Sequence, residues 1–209
     1  MTNPNENPLA RSQNDRAGHD QQSVLRAAME VFSHHGYDAA SMDDVAELLG
    51  ISRPALYYHV PSKQELLRLA VEPILTALEN IHSHPETAKE AAGERLGRSL
   101  RQMLQAISEQ LPSAALLLRL RGNTEMERAA LQRRYAVEQK VSMLTSQAWK
   151  DGAIRRDVDP QIAARLLVGM IYSTADWYSP CDGLTPQQLA DSMHRLGFHG
   201  IRSEVSGHE

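Results

Sequence analysis

The stretch from Ser41 to Lys63, SMDDVAELLGISRPALYYHVPSK, holds two helix starts and two helix stops in one line of sequence, and it constrains the fold more than any other part of the chain. Ser41 followed three residues on by Asp44 reads as a capping box with Asp in place of the usual Glu, and Asp43 and Asp44 suit the positive end of a helix dipole. Val45, Leu48 and Leu49 are expected to form its buried stripe. Gly50 ends that helix, because glycine takes a left-handed C′ position without steric cost, and Ile51 can fold back onto the pair. Ser52 then caps a second helix that carries Pro54 in its first turn, where no backbone donor is needed, and runs through Ala55, Leu56, Tyr57 and Tyr58. Val60-Pro61-Ser62 breaks it, and Ser62 caps whatever begins at Lys63. Two helices joined by a glycine-containing turn of about three to four residues make a helix-turn-helix.

The second helix is built to face outward. Leu56 is its one plainly apolar core residue, whereas Arg53, Tyr57, Tyr58 and His59 carry donors and aromatic faces suited to base edges and phosphates. Lys63 adds a charge beside backbone donors that already attract phosphate. The competing reading is a surface helix whose tyrosine pair packs on a neighbour.

Taken together, LGISRPALYYHVPSKQELL resembles the N-terminal DNA-binding domain of the TetR family of bacterial repressors, and the likeness extends back through VLRAAMEVF and Gly36-Tyr37 to cover roughly Asp20 to Ala70. The resemblance implies that Arg53 and Ala55 meet base edges behind the cap Ser52, with Pro54 close to the groove wall. It also implies that Tyr57, Tyr58, His59 and Lys63 hold the phosphate backbone, Tyr58 reaching a base as well. Ser41 matches a hydroxyl that caps and touches phosphate. Asp43 departs from the family pattern, in which a basic or neutral residue is common, so its helix is expected to read no base.

Charge adds a condition. Residues 1 to 70 carry six Lys and Arg against nine Asp and Glu, so this domain is acidic and its DNA affinity rests on a few placed groups. With few phosphates neutralised per subunit, the salt slope should be modest and useful affinity should need a dimer on two half-sites.

The 209 residues suffice for one small and one larger domain, and with 5% aromatic residues and apolar positions recurring at helical spacing the chain reads as all-α, about nine helices in total. The domains are expected as a disordered arm over 1–19, a three-helix DNA-binding domain over 20–66, a ligand-binding and dimerisation domain over 67–203, and a disordered tail over 204–209. The arm lacks an apolar signal segment, although Arg11 and Arg16 could reach a minor groove, and the single Cys181 fits a reducing cytoplasm. A helix from Ser62 should kink or break at Pro73 and stop near His84-Pro85. Another is expected over Thr87 to Gln110, with Leu111-Pro112-Ser113 separating it from the buried segment Ala114 to Leu118. Thr124 to Lys150 reads as one long amphipathic helix ending at Asp151-Gly152, Asp159-Pro160 opens the next, and after a turn at Pro180 to Gly183 a capping box at Thr185 starts the last.

The helices opened at Asp159 and Thr185 look similar to the pair through which TetR-family proteins form a four-helix dimer interface. That likeness implies contacts from Ile162, Leu166, Gly169, Met170, Ser173, Leu189, Met193 and Leu196; an ordinary intrachain core is the alternative. Residues 89 to 140 hold ten Lys and Arg against six Asp and Glu, which makes an anionic effector conceivable, with Arg119, Arg121, Arg128, Arg133 and Arg134 as charge sources. The segment Ile154 to Thr185 resembles TetR regulators that sense acyl-CoA thioesters, although Asp176 would repel phosphate at that spot. Apolar pocket candidates are Leu104, Leu117, Met126, Met143, Trp149, Tyr172 and Trp177, each a core residue in the plainer reading, and a purely hydrophobic effector stays open.

No GxSxG, P-loop or Cys-His nucleophile pattern is present, and His82-Ser83-His84 lacks further ligands at a metal spacing, so no catalytic residue, metal or cofactor is assigned. The sequence is therefore read as a ligand-responsive regulator, a repressor released from a palindromic operator by a small molecule. The rivals are a helical ligand-binding or adaptor protein with a vestigial helix-turn-helix, and a small enzyme.

Overall fold

The computed structural model describes residues 20–81, 90–198 and 200. The arm and tail, the start expected at Thr87 and the His82-Ser83-His84 segment lie outside the described residues. Among those described, the backbone forms nine α-helices and no strand: α1 (Gln21–His35), α2 (Met42–Leu49), α3 (Arg53–His59), α4 (Lys63–Asn80), α5 (Ala92–Glu109), α6 (Leu111–Arg119), α7 (Glu125–Lys150), α8 (Pro160–Trp177) and α9 (Pro186–Met193). They divide into two compact units, with the boundary inside α4 between Val71 and Glu72.

In the first unit α1, α2 and α3 touch one another pairwise. Asp20 caps α1 by accepting from the Ser23 amide at 2.8 Å, and α1 buries Val24, Ala27, Ala28, Val31 and Phe32. Phe32 meets Tyr37 edge to face with ring centroids 5.2 Å apart. The buried stripe of α2 is Met42, Val45 and Ala46 rather than the expected Val45, Leu48 and Leu49. Leu48 stands 47% exposed and Leu49 half-buried, because an eight-residue helix buries only the narrow face that starts at its first turn. Leu56 of α3 is fully buried, so truncating it to Ala should cost about 2–5 kcal/mol and loosen α3 from α2.

α4 runs unbroken through Pro73. Of the kink or break expected there, the break does not occur: proline removes a single backbone donor, and Val71, Ile74, Leu75 and Leu78 are all buried on either side of it, so packing holds the helix together.

In the second unit α5 is central, touching α7, α8 and α9. It buries Leu96, Leu100, Met103, Leu104 and Ile107, and Gly93 permits a close approach, since a Cβ there would stand 2.9 Å from that of Ala153. α5 begins at Ala92; Glu90 and Ala91, expected within that helix, are non-helical, and no side chain caps the start. Leu111-Pro112-Ser113 is the first turn of α6 rather than a spacer, because Pro112 lies at the helix start, where its missing donor costs nothing. α7 starts on a Thr124/Glu127 capping box and ends before Gly152, whose φ is 78°. Glu127 is 1% exposed; burial alone would raise its carboxyl, but backbone donors of Thr124, Arg121 and Gly122 outweigh that and hold it below its ordinary value.

Arg133 of α7 fastens the C-terminal half of α4, reaching Glu79 at 2.7 Å and Glu72 at 3.0 Å. Asp159 caps α8 by accepting from Gln161 and Ile162 amides at 2.8 and 3.0 Å, and Gln161 links Ser142 and Ser146 of α7 to α8. α9 is followed by a π-helical turn, His194–Phe198.

Candidate functional site

The geometry of the turn follows from its caps. The Ser41 hydroxyl accepts from the Asp44 amide at 3.2 Å while the Asp44 carboxylate accepts from the Ser41 amide at 2.7 Å, and that backbone bond above all holds the Asp44 carboxyl below its usual value. Gly50 sits in the left-handed region at φ 66°, and the amides of Gly50 and Ile51 return to Glu47 and Ala46 carbonyls at 3.0 Å each. Ser52 accepts from the Ala55 amide at 3.4 Å and so starts α3 immediately. Helix end, turn and helix start are thus fixed by local bonds, and α3 is anchored from below by Leu56 alone.

What α3 leaves in solvent is a polar-tipped aromatic face. Tyr58 is 86% exposed and Tyr57 39%, with Ser52, Arg53 and Pro54 exposed and Ala55 and His59 half-buried. The cations are tethered within their own unit. Arg53 donates to Asp43 at 3.1 Å and to the Tyr57 hydroxyl at 3.5 Å, and the tyrosine first, then the aspartate, stabilise its charged form. Lys63 lies over the Tyr37 ring, 4.4 Å from its centroid, and donates to the Asp38 carbonyl at 3.2 Å. The Ser41 hydroxyl also donates to Asp44, at 2.9 Å. The role of Asp43 was not legible: ten residues from Arg53, it meets the guanidinium only because the turn folds α2 back beside α3.

In the second unit a cavity of about 430 Å³ opens between one face of α5, one face of α7 and Ile81. α5 supplies Arg95, Arg98, Ser99 and Gln102, and α7 supplies Lys140, Met143, Leu144 and Gln147. Both sets follow the i, i+3, i+4, i+7 spacing of one helical face. Of the apolar candidates read from sequence, only Met143 lines it. Leu104 and Leu117 are fully buried, Met126 is half-buried, Trp149 lies under Arg156 at 4.6 Å, Tyr172 is half-buried near Arg134, and Trp177 is exposed at the end of α8. Four of the five arginines singled out from charge are used elsewhere: Arg119 faces Asp176 at 3.9 Å, Arg128 binds the carbonyls of Gly122 and Asn123, Arg133 holds α4, and Arg134 meets Glu138 at 3.2 Å; Arg121 is exposed and does not line the cavity.

One face of α8 is apolar and uncovered. Ile162 (59%), Leu166 (67%) and Met170 (38%) are exposed beside exposed Gly169 and Ser173, and Trp177 continues the row. Leu189 and Met193 of α9 turn inward and are buried in their own chain, while Leu196 is 76% exposed. The π-helical turn after Met193 shifts the register, so Leu196 leaves the face on which Leu189 and Met193 are buried. Among the described residues no helix is long and apolar enough to cross a membrane, and no cluster of three metal-ligating side chains occurs.

Two family descriptions match the chain: "Bacterial regulatory proteins, tetR family" over residues 24–70 and "Tetracyclin repressor-like, C-terminal domain" over 89–201. The HTH-type transcriptional activator FasR of Mycolicibacterium smegmatis is 54% identical over 43 residues, 21% of this chain and 20% of that protein, so the chain spans only a fifth of this curated relative. The crystal structure of SCO3833, a member of the TetR transcriptional regulator family from Streptomyces coelicolor, is similar at TM-score 0.79 and 39% identity, covering 86% of this chain and 91% of that one. AibR, solved in complex with isovaleryl coenzyme A and operator DNA, shares the fold at TM-score 0.70 and 23% identity, with 85% and 97% of the two chains covered.

Proposed function

We propose, since the chain belongs to the TetR family of bacterial regulatory proteins, that it is a ligand-responsive transcriptional regulator, acting as a homodimeric repressor that a small molecule releases from a palindromic operator. The observation that carries this reading is α3: a short helix fixed on both sides by caps, buried through Leu56, with Arg53, Tyr57 and Tyr58 facing solvent. Arg53, oriented by Asp43 and Tyr57, reaches a guanine edge, while Tyr57, Tyr58, His59, Lys63 and the exposed cap Ser52 line the phosphates. Ala55 and Pro54 fit against the groove, and Ser41 closes the contact at the start of α2.

The uncovered row on α8 supports the dimer. Gly169 and Ser173 allow close approach between copies, Ile162, Leu166 and Met170 supply apolar area, and Leu196 extends the face. Two copies present two α3 helices, which suits half-sites one helical turn of DNA apart. An effector in the larger unit would favour a conformer with the wrong separation. AibR, which shares this fold, is solved in complex with isovaleryl coenzyme A and operator DNA.

Selection of random DNA sites on the immobilised full chain tests the reading. Enrichment of a palindrome, bound by a dimer, is the expected result; no enrichment at low salt would leave the adaptor and enzyme readings standing.

A further inference from the structure

The cavity between α5 and α7 is unlike an ordinary apolar ligand pocket. Its volume of about 430 Å³ falls within the roughly 300–1,000 Å³ of small-molecule sites. None of its lining residues is acidic, whereas three are cationic: Arg95, Arg98 and Lys140. Ile81, Met143 and Leu144 supply apolar surface in the same cavity. Two carboxylates that act on these cations lie outside the lining. Glu90 pairs with Arg98, and Glu79, which feels Lys140, is held by Arg133. Arg95 pairs with no carboxylate among the described residues. Arg98 keeps Glu90, but Arg95 and Lys140 bring their charges to the same half-enclosed space with no ion pair to a carboxylate among the described residues, and a concave wall of low polarisability focuses that field into it.

We infer that this cavity takes a small amphipathic anion, its apolar part on Ile81, Met143 and Leu144 and its carboxylate or phosphate held by Arg95, Arg98 and Lys140. The inference rests on the regulator reading and gives the effector a chemical class. It places the anion away from the Asp176 region, where Arg119 is already engaged. Ile81 follows directly on the last residue of α4, so a tail packed on it touches the end of the helix that begins at Lys63.

Titration calorimetry on the full chain with octanoate, octanoyl coenzyme A and octanol tests it. At least one anion should bind about tenfold or more tightly than octanol, the worth of one charge-assisted hydrogen bond. Binding by octanoate marks a carboxylate as sufficient; binding only by octanoyl coenzyme A assigns the contact to phosphate. Arg95→Gln with Lys140→Gln should weaken that anion at least about tenfold while changing octanol far less. Raising salt on the unmodified protein should weaken the anion alone, a readout that stands even if the double variant fails to fold. Octanol binding as tightly as both anions, no anion binding, or salt-independent anion binding would overturn the proposal. The regulator reading fails separately: selection without a palindrome removes it even where octanoate binds, and a palindrome-selecting protein indifferent to head-group charge keeps it while losing the anion site.

Discussion

α3 and α8 both leave large side chains in solvent, and they do so with opposite chemistry. On α3 the exposed rings carry hydroxyls and the neighbouring cations are tied down, Arg53 by Asp43 and Lys63 by Tyr37 and Asp38. On α8 the exposed row is aliphatic and thioether, with a glycine and a serine between. A hydrated, charged partner such as DNA is matched by groups that trade one polar contact for another. A second protein copy is matched by groups that gain from leaving water. The same degree of exposure therefore marks two different partners.

The sharpest break of this comparison is Leu166→Glu. If the row on α8 meets its own copy, a C2 contact buries two unpaired carboxylates, each costing several kcal/mol. Light scattering should show monomers at concentrations where the parent is a dimer, with a dissociation constant raised at least about 100-fold. Operator binding should fall with it. A variant that stays dimeric would assign the row to some other partner.

Arg53→Ala is the counterpart on α3 and should leave the dimer intact. We expect a loss of about 1–3 kcal/mol on the selected operator together with relaxed preference at one base position, read by binding to operators changed one base pair at a time. Equal losses on all sequences would make Arg53 a phosphate contact instead.

The two helices also differ in how far the sequence exposes them. Around α3 every cap was legible, because Ser41, Asp44, Gly50, Ser52 and Pro54 act through bonds to residues at most four positions away. Among the described residues, the all-α architecture of nine α-helices was legible for the same reason. What escaped depends on contacts distant in sequence. That α4 continues through Pro73 instead of breaking escaped because its neighbours' burial is not local. The divergence of Leu196 from Leu189 and Met193 escaped because a π-helical turn leaves no mark in hydrophobic spacing. The cavity cations Arg95, Arg98 and Lys140 escaped because arginines and lysines on amphipathic helices look like a solvated face until a second helix is laid opposite.

Lys63→Ala tests the second tether and should have a smaller effect than Arg53→Ala. Its ammonium leaves the Tyr37 ring and the Asp38 carbonyl for a phosphate, so its loss weakens every sequence alike. The slope of log affinity against log salt should fall by about one, with base preference unchanged. An unchanged slope would mean that Lys63 serves only to fasten α4 to the loop at Tyr37.

Asp43→Asn acts on the tether itself and should have the smallest effect of the four. The Arg53 to Asp43 pair is more than half exposed on both sides, so solvent screens it and folding should barely change. On DNA two effects oppose. Removing a carboxylate from an acidic domain lessens repulsion from the phosphates and raises affinity for any sequence. Releasing Arg53 costs the orientation that Asp43 and Tyr57 give it and lowers discrimination between operator and random DNA. Non-specific affinity should therefore rise a few-fold while operator affinity stays level, so that the specificity ratio falls although no base contact has been removed. A ratio that holds would mean Asp43 merely occupies Arg53 until DNA displaces it, and α3 would then read its operator with no help from α2.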